Sequence, residues 1–210
     1  MAEAWGLVVP VKLLALAKTR LSAYGDVARA ELALAFASDV LDAALDCPAV
    51  HRVVVVTDDV RAARALAGPR CQVVPDLPGA GLNAALEHGA ALLRSSAGAL
   101  PVAALAADLP ALRAEDLSAA LQAVPGRAFV PDADGTGTTL LAARGGHVLG
   151  AAYGPGSRAR HLASGAHELA AEPGLRRDVD TPQDLSTALE LGVGRHTSAA
   201  VAALALPRPA

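Results

Sequence analysis

Runs of consecutive apolar residues alternate with stretches of helical spacing along the first 125 residues. Residues 7–11, 53–56, 72–74 and 102–107 form the apolar runs. Unbroken runs of this length read as strands buried on both faces of a parallel sheet. Between and after them, residues 27–45, 60–66, 82–95 and 112–124 place apolar side chains at helical intervals. The alternation predicts an α/β fold, a sheet with helices on both faces and right-handed crossovers. After residue 125 the pattern changes. Residues 128–131 and 138–142 read as strands on either side of a Gly- and Asp-rich turn, a hairpin signal that adds antiparallel pairing and makes the sheet mixed, mostly parallel. A short helix over 157–164 and a strand over 167–171 follow. The last helix opens at Asp180-Thr181-Pro182, with Asp180 or Thr181 as its cap. Beyond Arg195 the chain is Ala-rich with two prolines and no cap. The expected organisation is one domain over residues 1–195 and a mobile tail over 196–210.

Composition narrows the class. With 53% hydrophobic but only 2% aromatic residues, the core must be built from Ala, Leu and Val. A net charge of −3 gives no basic field for nucleic acid. Cys47 and Cys71 make neither a disulfide framework nor a metal pattern, as expected of reduced thiols in a cytoplasmic protein. Residues 1–6 lack the basic and apolar regions of a signal peptide. No run of about 18 apolar residues is available to span a membrane.

Four stretches carry candidate chemistry. Asp108 ends the apolar run 102–107, where the carboxyl ends of strands in α/β sheets meet ligands; the alternative is a turn residue ahead of the next helix. Lys12, Lys18 and Arg20 follow the first strand with no acid between Val11 and Leu21, which suits a polyanion such as a triphosphate. No Walker motif and no Gly-x-Gly-x-x-Gly fingerprint accompanies that strand. In Asp178-Val179-Asp180 an extended backbone turns both carboxylates to one side, as an oxygen-ligated Mg²⁺ needs; alternatively Asp178 pairs with Arg176 or Arg177 and Asp180 caps the last helix. The loops Gly135–Thr139 and Gly154–Arg158 would bring backbone N–H groups, Ser157 and the nearby Arg158, Arg160 and His161 toward an anion such as phosphate or carboxylate; the alternative is an ordinary turn and an N-cap. Residues 78–83 end in Asn83, whose amide can meet a purine edge. His51, His88, His147, His167 and His196 show no ligand spacing and read as surface or structural residues.

Taken in order, Val9-Pro10-Val11-Lys12, Ala17-Lys18-Thr19-Arg20-Leu21, Pro78-Gly79-Ala80-Gly81-Leu82-Asn83, Ala107-Asp108-Leu109-Pro110, Gly135-Thr136-Gly137-Thr138-Thr139, Gly154-Pro155-Gly156-Ser157 and Asp178-Val179-Asp180-Thr181-Pro182 resemble the guanylyltransferases of coenzyme F(420) biosynthesis, the CofC/FbiD family. The resemblance implies a three-layer α/β/α nucleotidyltransferase of the GT-A, Rossmann-like type. It implies transfer of GMP from GTP to phosphoenolpyruvate or 2-phospho-L-lactate with loss of pyrophosphate. Thr139, Gly154 and Ser157 fall on positions for the phosphoacid, and Asp108, Asp178 and Asp180 on the acids for Mg²⁺. Lys12, Lys18, Arg20 and Asn83 fall toward the nucleotide, with Asp108, Lys18 and Arg20 as the catalytic set. The next transferase of the pathway is an expected partner. A nucleotidyltransferase with another nucleotide or acceptor, and a non-catalytic nucleotide-binding domain, are the alternatives.

Overall fold

The apolar runs become strands of one sheet. In the computed structural model, β1 (Trp5–Pro10), β2 (Val50–Val56), β3 (Cys71–Val74), β4 (Val102–Leu105), β5 (Arg127–Val130), β6 (Leu140–Ala143) and β7 (His167–Glu168) lie in the order β3-β2-β1-β4-β6-β5-β7. The structure describes residues 4–77, 79–97 and 100–204. Pro78 of the predicted loop and residues 205–210 of the predicted tail lie outside the described residues. Strands β3, β2, β1 and β4 pair in parallel. β6 then enters antiparallel between β4 and β5, and β7 pairs parallel to β5. The mixed, mostly parallel sheet follows from the change of pattern after residue 125.

Helices α1 (Asp26–Asp46), α2 (Val60–Leu66), α3 (Leu82–Ala97), α4 (Ala114–Gln122), α5 (Ser157–Ala163), α6 (Pro173–Arg176), α7 (Pro182–Leu191) and α8 (Arg195–Ala203) complete the fold. Alternate strand residues feed two cores. Leu7, Val9, Val53, Val55, Ala103 and Leu105 pack with residues of α1, α2 and α4 on one face. Val8, Val54, Val56, Val102 and Ala104 meet Ala85, Leu86, Ala90 and Leu93 of α3 on the other. Small residues let the layers approach closely: a Cβ at Gly89 of α3 would lie 2.5 Å from Val8 Cγ1.

Some boundaries differ from the sequence reading. β4 ends at Leu105, although Ala106 N–H still donates to the Thr139 carbonyl at 2.8 Å. The helix expected from residue 112 starts at Ala114, because Arg113 is extended. The strand expected over 167–171 is the two-residue β7.

Residues 196–203, expected to be tail, form α8 together with Arg195. The absent cap is supplied from a distance: the Asp39 carboxylate in α1 accepts from the His196 and Thr197 N–H groups, at 2.9 Å each. An acceptor at an N-terminus satisfies donors that have no partner within the helix. Gly194 makes room, since a Cβ there would lie 2.3 Å from Asp39 Oδ1. Val201 of α8 joins Leu21, Leu32, Phe36, Val179, Leu185 and Ala188 in a third apolar cluster.

Candidate functional site

A cleft of about 640 Å³ opens at the carboxyl edge of the parallel strands. All the predicted site residues except Asn83 line it: Lys12, Lys18, Arg20, Asp108, Thr139, Gly154, Ser157, Asp178 and Asp180. Residues more than 160 positions apart in the chain are thus gathered on one rim.

The acids are set by backbone. Asp108 follows β4, and its carbonyl accepts from Val179 N–H at 3.0 Å. That bond ties the two acidic segments together, and Val179 is fully buried between its acidic neighbours. Asp178 and Asp180 therefore turn away from the core, as alternation requires. The competing roles are filled otherwise. Thr181 caps α7 in a capping box with Asp184, Arg177 pairs with Asp184 at 3.2 Å and Asp134 at 3.8 Å, and Arg176 donates to the Pro131 and Asp132 carbonyls.

Lys18 lies among the acids. Its Nζ donates to Asp108 Oδ2 at 2.5 Å and Asp180 Oδ1 at 2.8 Å. It is the one non-glycine residue with positive φ among those described, at φ 54 and ψ 44. Left-handed backbone is costly for a residue with a Cβ, and here it aims the ammonium between two carboxylates. Burial acts to lower the Lys18 pKa, but Asp108 and Asp180 outweigh it and raise the value. Burial likewise acts to raise Asp180, yet Lys18, Arg20 and Lys12 bring it down. Arg20, largely exposed, stands 3.9 Å from Asp180. Asp178 has no such help. Burial first, then repulsion from Asp108 and Asp180, pushes it up to about 7.

The three carboxylates offer only oxygen donors, the type that Mg²⁺ takes, but as they stand their ligand atoms do not all lie within 4.8 Å of one another. Another acidic group, Asp39, Asp42 and His196, brings ligand atoms within 4.8 Å of one another. Its members are accounted for by the cap on α8 and the Arg195–Asp42 ion pair.

The opposite wall is built from the two small-residue loops. In the β5–β6 turn, Asp132 accepts from Thr136 and Gly137 N–H at 2.8 and 2.7 Å. Gly154, at φ +117, and Gly156 lead into α5. Thr139 is buried, and its hydroxyl donates to the Leu175 carbonyl at 2.7 Å. Toward a ligand that oxygen can only accept while the bond stands. Thr138 and Ser157 hold hydroxyls 3.2 Å from each other. Arg158 and Arg160, expected near an anion, brace the loops instead. Arg158 pairs with Glu168 and donates to the Gly135 carbonyl; Arg160 donates to the carbonyls of Ala152 and Pro155.

Asn83 stands apart from the cleft. Its amide nitrogen donates to the Tyr153 carbonyl at 3.2 Å and its oxygen accepts from Tyr153 N–H at 2.7 Å. Both ends of the amide are engaged in anchoring the 150–156 loop to α3, so the structure places it as a brace for Tyr153. Tyr153 itself lines the cleft and donates its hydroxyl to the Ala104 carbonyl at 3.0 Å. Sequence reasoning named Thr138 only within its loop and His161 only as a neighbour of an anion, and it missed Tyr153 and the structural use of His161. One signal was present for the last: Ser157 and His161 are four residues apart on α5 and so share a face.

Comparison with known proteins agrees with this architecture. Residues 34–183 match the MobA-like NTP transferase domain. Phosphoenolpyruvate guanylyltransferase of Streptomyces scabiei is 57% identical over 97% of this chain and 98% of its own length. The protein of the same name from Thermomonospora curvata is 55% identical over 94% of this chain and 89% of its own. Among solved structures, a candidate nucleotide-diphospho-sugar transferase from Desulfovibrio desulfuricans superposes with TM-score 0.70 at 19% identity, covering 96% of both chains. Domain, relatives and fold agree: the chain is a nucleotidyltransferase and belongs to the phosphoenolpyruvate guanylyltransferase family.

Proposed function

We propose that the protein transfers GMP from GTP to the phosphate of phosphoenolpyruvate, releasing pyrophosphate, in the biosynthesis of coenzyme F(420). The observation that carries the reading is the single cleft that joins Lys12, Lys18, Arg20 and the three aspartates to the hydroxyl and glycine wall. One side suits a polyphosphate, the other a small anionic acid. Relatives such as those from Streptomyces scabiei and Streptomyces coelicolor, each 57% identical, carry the phosphoenolpyruvate name, which favours that acid over 2-phospho-L-lactate.

The chemistry asks for positioning and charge neutralisation more than for covalent help. A phosphate oxygen of the acid attacks the α-phosphorus of GTP. The bond from the α-phosphorus to the bridging oxygen breaks, and the electron pair leaves with pyrophosphate. The nucleophile is already an anion, so no general base is required. Asp108, Asp178 and Asp180 would hold Mg²⁺, which when bound supplies Lewis-acid neutralisation of phosphate charge. Lys18, held on the acids, and Arg20, at the rim, stand ready to neutralise the departing pyrophosphate. Lys12, exposed on the same lip, adds charge for the triphosphate. The Thr138–Ser157 hydroxyls, beside the Gly154–Gly156 loop, would receive the acid.

The test is pyrophosphate release from purified protein with GTP and Mg²⁺, in parallel with phosphoenolpyruvate, 2-phospho-L-lactate and no acceptor, with the enzyme that consumes the product included. Release with phosphoenolpyruvate alone supports the reading. Release with phospholactate alone replaces the acid. GTP binding without release on either acid overturns the catalytic assignment. Asp108→Ala is expected to abolish release while leaving the circular dichroism spectrum and melting transition in place.

A further inference from the structure

His161 is fully buried under the cleft wall, between the rings of Phe129 and Tyr153 at centroid distances of 5.6 and 5.4 Å. Its two nitrogens have distinct partners. Ala152 N–H donates to Nε2 at 3.1 Å, so Nε2 holds a lone pair and no proton. Burial first, and then Arg127 and Arg160, lower its pKa to about 4, so the ring is neutral at pH 7. A neutral imidazole with a bare Nε2 carries its proton on Nδ1. Nδ1 lies 2.9 Å from Thr138 Oγ1, and so donates to it. Ser157 Oγ is 3.2 Å from the same oxygen.

Counting protons then decides what the wall can offer. The imidazole N–H and the two hydroxyls supply three protons, and two hydrogen bonds join the three groups. One hydroxyl proton is left over, on Thr138 or on Ser157. Thr138 is the more open of the two, 8% exposed against 1%, and both line the cleft. A ring with its proton on Nε2 would instead accept from Thr138 and leave that hydroxyl with no proton to give.

We propose that His161 is a positioning residue for the acceptor acid: by donating from Nδ1 it obliges the Thr138–Ser157 pair to present one O–H to an anionic oxygen in the cleft. The inference rests on the reading that this wall receives the phosphoacid. The anion recognised is a phosphate or carboxylate oxygen, an acceptor only, which is what a committed hydroxyl donor selects.

The variants separate the two nitrogens. Asn places an amide N–H near Nδ1, Gln places an amide near Nε2, and Leu keeps bulk without either. In His161→Leu the KM for phosphoenolpyruvate is expected to rise about tenfold, the worth of one hydrogen bond to a charged group, while the KM for GTP stays within about twofold. His161→Asn should recover most of that loss and His161→Gln should not. In a Thr138→Val background, His161→Leu should add no further change in the acid's KM. Equal rises in both KM values, equal behaviour of Asn and Leu, or additivity with Thr138→Val would overturn the proposal. Nitrogen NMR of His161 in the wild-type protein reads the same point without turnover: a neutral ring protonated at Nδ1 supports it, and protonation at Nε2 overturns it. Should wild type turn over neither acid, the reading of the cleft fails, and the NMR result still decides the network.

Discussion

Replacing Asp178 by Asn should stabilise the ligand-free protein, and more so at high pH. The carboxyl is pushed from 3.8 up to about 7 by burial and by Asp108 and Asp180. A carboxyl with a raised folded value binds its proton more tightly in the fold than in the unfolded chain. Its ionisation therefore costs nothing below pH 3.8, a growing amount between 3.8 and about 7, and the full amount above. A gap of about three pH units, at about 1.4 kcal/mol each, sets a ceiling of about 4 kcal/mol. About 2 kcal/mol of that falls between pH 5.5 and pH 8. For a chain of this length each kcal/mol moves the melting temperature about 2–4 °C. The gain of Asp178→Asn over wild type, followed by thermal melting, should thus be about 4–8 °C larger at pH 8 than at pH 5.5. Mg²⁺ should narrow the gap. It would stabilise wild type by about 2.7 kcal/mol at a hundredfold excess over its dissociation constant, and the variant much less. A gain that is the same at both pH values, or none, would refute the electrostatic account.

Three further outcomes follow from the geometry. Lys18→Met should fold, because Met keeps an unbranched side chain of similar length, but pyrophosphate release should fall about 10²–10³-fold; a loss under tenfold would show that the ammonium does not meet the developing charge. Asp39→Ala removes the acceptor for two N–H groups of α8 and should cost about 1–2 kcal/mol, seen as a lower melting temperature and faster amide exchange across residues 195–203. Gly89→Ala drives a methyl group to within 2.5 Å of Val8 Cγ1 and should cost about 1–3 kcal/mol, measured by denaturant unfolding; an unchanged midpoint would mean α3 can shift away from the sheet freely.

The sequence was legible where short-range periodicity decides the outcome. Apolar runs became strands, Asp108 fell past the end of β4, and the two-residue spacing of Asp178 and Asp180 put both on one side of a buried Val179. Features that depend on distant partners could not be read. Lys18 carries no local sign that its ammonium will sit between residues 90 and 162 positions away. Asn83 reads as a free amide until Tyr153 takes both its ends. The stretch after Arg195 lacks a local cap, and the cap comes from Asp39, more than 150 residues earlier. The hydroxyl on Thr139 looked available, yet Leu175 in α6, a turn that the pattern did not announce, accepts its proton.

The α8 cluster bears on how the gene product is handled in the laboratory. Leu21 adjoins Arg20, and Val179 separates Asp178 from Asp180; both pack in the same small core as Val201. A fusion partner or affinity tag that strains residues 195–203 would therefore act on the cations and acids of the cleft through packed side chains, with no contact to either substrate. Reduced turnover in a C-terminally tagged or shortened preparation would report on that linkage, and measuring it against an N-terminally tagged preparation separates a damaged site from a poor substrate.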